Sequence, residues 1–216
     1  LKEFSSFQSP RIGLIADSHG NLQATERSIR VLRNQGADIL VHLGDFCDSA
    51  QRDPIDDMIR TLQTNHVLTI KGNNDYVVEL ALAGTNGIKS ANKDEILTFF
   101  KNIPMTRTLG KELCFAHSLP FDYLRAFYDP IDTGTTQGAC RVFAETNFRI
   151  LFCGHSHSPV IFRLKNKQIS RKRVLAGRKM LLSTDDRHII IVGSVDKGDC
   201  ALFDSAKQIY ERIKIF

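Results

Sequence analysis

The chain has 216 residues, 42% hydrophobic and 25% charged, with a formal net charge of +5. That is globular composition with enough length for one sizeable core. The mild basic excess favours anionic substrates and slightly favours nucleic acid, but it is too small to name either. No stretch has the length of a membrane span, and the first ten residues contain no apolar signal core and read as a flexible terminus. The five cysteines form no C-x-x-C pair, which suggests a reducing cytoplasm and no disulfide framework.

Ile12–Ala16 is a short apolar run that predicts a buried strand. Asn21 then caps a predicted helix to about Asn34, ended by Gly36, with Leu22, Ile29 and Leu32 at helical spacing. Ile39–Leu43 predicts the second strand. Pro54 stands at a first helical turn, and Ile55, Met58, Ile59 and Leu62 continue the helical spacing. Val67–Ile70 predicts a third strand, and the β-α-β-α-β order implies a parallel sheet. Tyr76–Ala83 and Glu95–Asn102 read as helices, Leu113–Ala116 and Ile150–Cys153 as strands. Between those strands lie an aromatic segment, 121–130, and a helix over Thr135–Thr146. From Val160 onward strands take over: Val160–Leu164, Ile189–Val192, Ala201–Phe203 and Ile209–Ile215. An α/β chain that ends in strands predicts two packed sheets with helices outside, in one domain spanning 1–216.

Five of the predicted strands end in residues able to bind metal: Asp17-Ser18-His19, Gly44-Asp45, Gly72-Asn73-Asn74-Asp75, His117, and Gly154-His155-Ser156-His157. Sites in α/β sheets form beyond the carboxyl ends of strands, so five ends of one sheet would converge on a small volume. The D-x-H and H-x-H spacings let two side chains of one turn face the same way. Two carboxylates, one amide oxygen and four imidazoles make a mixed oxygen and nitrogen shell. Such a shell suits Mn, Fe, Zn, Co or Ni better than Ca or Mg. The donors are too many for one ordinary site and about right for two ions sharing a carboxylate.

These motifs, in this order, resemble the calcineurin-like metallophosphoesterases. The short length and Val192-Gly193-Ser194 before a late strand resemble its small single-domain prokaryotic phosphodiesterase branch. The resemblance implies a four-layer αββα sandwich of two mixed sheets flanked by helices. It implies that Asp17, His19 and His157 hold one metal, that Asn73, His117 and His155 hold the second, and that Asp45 bridges them. It further implies hydrolysis of a phosphate ester by a metal-bridging hydroxide, with Asp45, Asn73 and His117 in catalysis. Many members carry histidine, thought to protonate the leaving group, where this chain has Asn74, which is no general acid at neutral pH. Good leaving groups are therefore expected to react faster.

Several residues admit two readings. Asp75 either orients His117 or caps the following helix. Phe121, Tyr123, Phe127 and Tyr128 either wall a substrate pocket, with Phe121 and Asn74 as substrate contacts, or are ordinary core. His42 and His66 read as structural, with His42 able to support Asp45, and His188 reads as surface. The basic segment Arg163–Lys179 either grips nucleic acid or, the favoured reading, is a solvated hairpin. A nuclease, and a phosphomonoesterase or dinucleoside-polyphosphate hydrolase, stay open as rivals on the same fold. A non-catalytic scaffold is disfavoured because every ligand position is filled. Homo-oligomerisation is left open.

Overall fold

The computed structural model describes residues 9–50, 55–84 and 92–216. Pro54, most of the terminus expected to be flexible, and residues 85–91 lie outside the described residues. Strand β1 (Arg11–Ile15) pairs in parallel with β2 (Ile39–His42), and β2 with β3 (Val67–Thr69), as the alternating pattern predicts. The helices between and after them are α1 (Leu22–Asn34), α2 (Ile55–Thr64), α3 (Asn73–Ala83) and α4 (Lys93–Asn102). Asn21 caps α1 through its side chain, which accepts from the Ala24 N–H at 3.1 Å. Gly36, at φ +78°, ends that helix in the left-handed region.

Next come β4 (Thr106–Leu109), β5 (Leu113–Ala116), α5 (Gln137–Glu145) and β6 (Ile150–Cys153). The remaining strands are β7 (Val160–Lys165), β8 (Gln168–Arg173), β9 (Lys179–Leu181), β10 (Arg187–Ile191), β11 (Asp199–Asp204) and β12 (Ile209–Lys214). They form two six-stranded mixed sheets. Sheet A runs β3-β2-β1-β11-β12-β9 and sheet B runs β4-β5-β6-β10-β7-β8.

The packing explains the apolar runs. Along β1, Ile12 and Leu14 face sheet B while Ile15 faces the helices, so both faces are buried and no alternation shows. Gly13, between them, lets α1 lie close: a Cβ there would collide with Leu32 and Leu40. In β6, Ile150 and Phe152 enter the inter-sheet core and Leu151 and Cys153 the outer one. Three apolar layers result: α1 to α4 on sheet A, sheet A on sheet B, and α5 with a 3-10 turn at Leu124–Phe127 on sheet B. This is the αββα sandwich that the resemblance implies.

Two expectations need correction. The five strand ends do not belong to one sheet: β1, β2 and β3 lie in sheet A, β5 and β6 in sheet B. Parallel order along the chain does not reveal that β10 and β11 pair back into different sheets. His188 is not at the surface but only 3% exposed, because its place in β10 puts it on the inner face of sheet B. The basic segment does form the expected hairpin, β7 and β8, with all but Ile169 of β8 exposed. No helix among the described residues is long and apolar enough to cross a membrane.

Candidate metal centre

The two sheets bring their strand ends together. Asp17 to His19 follow β1, Asp45 follows β2, His117 follows β5, and His155 and His157 follow β6. Asn73 is the first residue of α3, just beyond β3. Five of these residues have positive φ: Asp17 (53°), His19 (45°), Asp45 (55°), His155 (66°) and His157 (52°). A non-glycine residue there costs on the order of 1–3 kcal/mol, and such strain gathers at functional sites. Backbone hydrogen bonds between the turns hold it: Asp17 N–H to Gly44 O at 3.1 Å, His19 N–H to Asp45 O at 3.0 Å, and Gly154 N–H to His117 O at 3.0 Å. Glycine is required where turns touch: a Cβ on Gly72 would meet the Asp45 carboxylate, and one on Gly154 the Asp17 carboxylate.

The side chains form two groups able to hold an ion, Asp17/His19/His157 and Asp45/His117/His155, each with its ligand atoms within 4.8 Å of one another. In the first, His19 Nε2 lies 3.0 Å from His157 Nε2, and Asp17 Oδ1 3.6 Å from the same nitrogen. In the second, His117 Nε2 lies 3.0 Å from Asn73 Oδ1, 3.2 Å from His155 Nδ1 and 3.4 Å from Asp45 Oδ2. Thus all seven residues singled out in the sequence come together.

The histidine tautomers are legible from their outer contacts. His117 Nδ1 lies 2.9 Å from the Leu43 carbonyl, and His155 Nε2 lies 3.0 Å from the Tyr128 carbonyl. A carbonyl only accepts, so those nitrogens carry the protons, and the opposite nitrogens turn lone pairs inward. In the neutral rings, His117 Nε2 then faces His155 Nδ1 and the oxygens of Asn73 and Asp45. Such convergence calls for a cation or a proton among them. The residues therefore fit a divalent ion.

Charge supports the same fit. Asp17 is fully buried, and burial above all, then neighbouring Asp45 and Asp75, pushes its pKa up to about 8 against the pull of His117. Asp45 is held below its ordinary value: burial works against its charge, but His117 and two hydrogen bonds from Asn74 prevail. His117 is in turn pushed up to about 9 by Asp45, burial notwithstanding. Burial and neighbouring histidines lower His155 and His157 to about 4. Among the described residues, Asp17 and Asp45 have only histidines as ion-pair partners.

The supporting residues settle several open readings. Asp75 does not bond His117; it accepts from the N–H groups of Asp45 (2.8 Å), Cys47 (3.0 Å) and Gly72 (2.8 Å), capping α3 and tying it to the turn after β2. His42 does not reach Asp45; its Nε2 lies 2.8 Å from Ser18 Oγ, which Thr25 also contacts at 2.9 Å. Asn74 turns its amide onto Asp45, with Nδ2 2.7 Å from Oδ2 and its backbone N 2.9 Å from Oδ1. Phe121 stacks on Tyr123 under the Arg141 guanidinium and packs on the outer core of sheet B. Tyr128, through its carbonyl, is the member of that aromatic segment tied to a triad histidine. Neither its role nor the threefold acceptance by Asp75 has a signal in residue spacing.

Comparison with known proteins agrees with this geometry. The chain belongs to the calcineurin-like phosphoesterase superfamily, whose domain model matches residues 11–198. It is similar to the uncharacterized protein MJ0912 of Methanocaldococcus jannaschii, 26% identical over 94% of this chain and 86% of that one. Its fold is similar to a metallophosphoesterase from Sphaerobacter thermophilus, with a TM-score of 0.74 and 21% identity over 96% of this chain and 88% of the other. It is also similar to a putative diadenosine tetraphosphatase, with a TM-score of 0.57 and 16% identity over 95% of each chain. Family and centre together make this a phosphoester hydrolase with two candidate metal-ligand clusters.

Proposed function

We propose that the chain is a dinuclear-metal phosphodiesterase acting on small or nucleotide-type phosphate esters. The observation that carries the reading is the pair of adjacent triads, each with its donor atoms within 4.8 Å. In this reading Asp17, His19 and His157 hold one ion, Asn73, His117 and His155 the other, and Asp45 both. Two divalent ions, Mn first and Fe, Zn, Co or Ni as alternatives, would supply a more acidic water at neutral pH and neutralise charge growing on the phosphoryl group.

The protein's own part is orientation. The carbonyls of Leu43 and Tyr128 fix the tautomers of His117 and His155, and Asn74 fixes both oxygens of Asp45. With its amide committed to Asp45, Asn74 delivers no proton to a leaving group. Esters whose leaving group needs no proton, such as aryl diesters, are therefore favoured over alkyl esters by roughly 10²–10⁴-fold. That the candidate ligands come from both sheets supports reading residues 1–216 as one domain. Cys47, Cys114, Cys153 and Cys200 are buried, which accords with a cytoplasmic setting.

The test is hydrolysis of bis(p-nitrophenyl) phosphate against p-nitrophenyl phosphate, with metal-free protein titrated with Mn²⁺. Diesterase activity that appears with metal and exceeds monoesterase activity is expected. A faster monoester, or equal rates for aryl and alkyl diesters, would overturn the substrate assignment.

A further inference from the structure

The facing sides of a two-sheet sandwich are ordinarily apolar, and at the centre of this one they are. At the outer end of sheet B the facing side changes character. Opposed residues of an antiparallel pair point to the same side, as do residues two apart on one strand. Ile190 and Ile161 are opposed, and both pack into the inter-sheet core. By the same register, His188 opposite Arg163, Ser170 opposite Arg163 and Lys172 opposite Ile161 share that inner side. Four polar residues thus stand where the architecture calls for aliphatic ones.

Sheet A does not close over them. Its edge strand β9, continued by Leu182 and Ser183, forms the facing wall of a cleft of about 410 Å³. That volume lies in the range of small-molecule sites, roughly 300–1,000 Å³. Ile161, Met180 and Leu182 give an apolar lining, Arg163, Lys172 and His188 a nitrogen-rich one, and among the described residues no carboxylate lines the cleft. Asp186 takes Nε and one terminal nitrogen of Arg163. Among the described residues Lys172 has no ion-pair partner. His188 is 3% exposed, and its Nδ1 has no hydrogen-bond partner among the described residues. A buried polar group without a partner is rare and costs about 1–3 kcal/mol. None of the lining residues belongs to the metal centre.

We propose that this cleft binds a small amphipathic anion, an apolar body bearing a phosphate, sulfonate or carboxylate head, at a second site separate from the phosphoester centre. The head meets Lys172, Arg163 and the serine hydroxyls, and the body lies on Met180 and Leu182. The site also gives a use to the basic hairpin that phosphoester hydrolysis leaves without one.

The test is calorimetric titration of the Mn-loaded protein with naphthalene-1-sulfonate, and with 1-naphthalenemethanol as the uncharged body. The sulfonate should bind at least tenfold more tightly than the alcohol. Lys172→Glu, on an exposed side chain, should weaken it at least tenfold, and Asp45→Asn should leave it within twofold. Binding that survives Lys172→Glu but is lost in Asp45→Asn would place the anion at the metal centre and overturn the proposal. So would absence of sulfonate binding at millimolar concentration together with self-association of Lys172→Val, since inward charge on an edge strand also blocks edge-to-edge pairing.

Discussion

His42 is fully buried, and its Nε2 lies 2.8 Å from Ser18 Oγ, beneath the turn that carries Asp17 and His19. Burial lowers its pKa from 6.5 to about 3. Between those values the unfolded chain binds the proton and the folded chain refuses it, so stability is full above pH 6.5 and falls as pH drops towards 3. By pH 5 the loss amounts to about 2 kcal/mol. Urea unfolding at pH 7 and pH 5 checks this. His42→Gln should be less stable at pH 7 but lose about 2 kcal/mol less than the parent on going to pH 5; parallel losses would exclude a neutral buried imidazole. At this scale the sequence was informative about chemistry and silent about conformation. The seven candidate donors could be singled out because Asp, Asn and His recur after apolar runs. The left-handed backbone of Asp17, His19, Asp45, His155 and His157 was not legible, because those residue types also serve as ordinary turn residues.

Among the elements, α3 brings Asn73, Asn74 and Asp75 to the candidate site in its first turn. It begins at Asn73, three residues before the Tyr76 start that periodicity suggested, because Asp75 satisfies the Gly72 N–H and ties in the N–H groups of Asp45 and Cys47. A side-chain acceptor so placed fixes the approach of β2 to the helix, a long-range fact with no local signature. Asp75→Ala would leave three buried donors without an acceptor, at about 3 kcal/mol or more. The checks are denaturant unfolding and Mn²⁺ affinity: both should fall in Asp75→Ala and recover in part in Asp75→Asn. An unchanged Mn²⁺ affinity would show that α3 does not position Asn73. Strands β4 and β9 escaped the sequence reading, and β8 was read only as part of a solvated hairpin, for a different reason. They are short or edge strands with few apolar residues, β8 reading Gln168-Ile169-Ser170-Arg171-Lys172-Arg173, so neither alternation nor an apolar run marks them.

The whole molecule joins two sheets through one inner core, with Phe115, Phe152, Phe203 and Tyr210 essentially without exposed surface. Phe152 touches all three others by ring contacts, at centroid distances of 5.6, 5.2 and 6.3 Å. Phe152→Ala should lower the stability of a single unfolding transition by about 3–5 kcal/mol. Two separated transitions, for the halves of the sandwich, would contradict a shared core. The layers were legible in the change from alternating α/β to all-strand pattern. The split of the five strand ends between two sheets was not, because it rests on pairings such as β1 with β11, remote in sequence.

That split makes the metal centre a product of the whole fold, and metal stoichiometry tests it most directly. Calorimetric titration of metal-free protein with Mn²⁺ should give two ions per chain, and Asp45→Asn should weaken both steps while the circular dichroism spectrum is retained. A single ion per chain, or two ions bound unchanged in Asp45→Asn, would contradict a dinuclear centre bridged by Asp45.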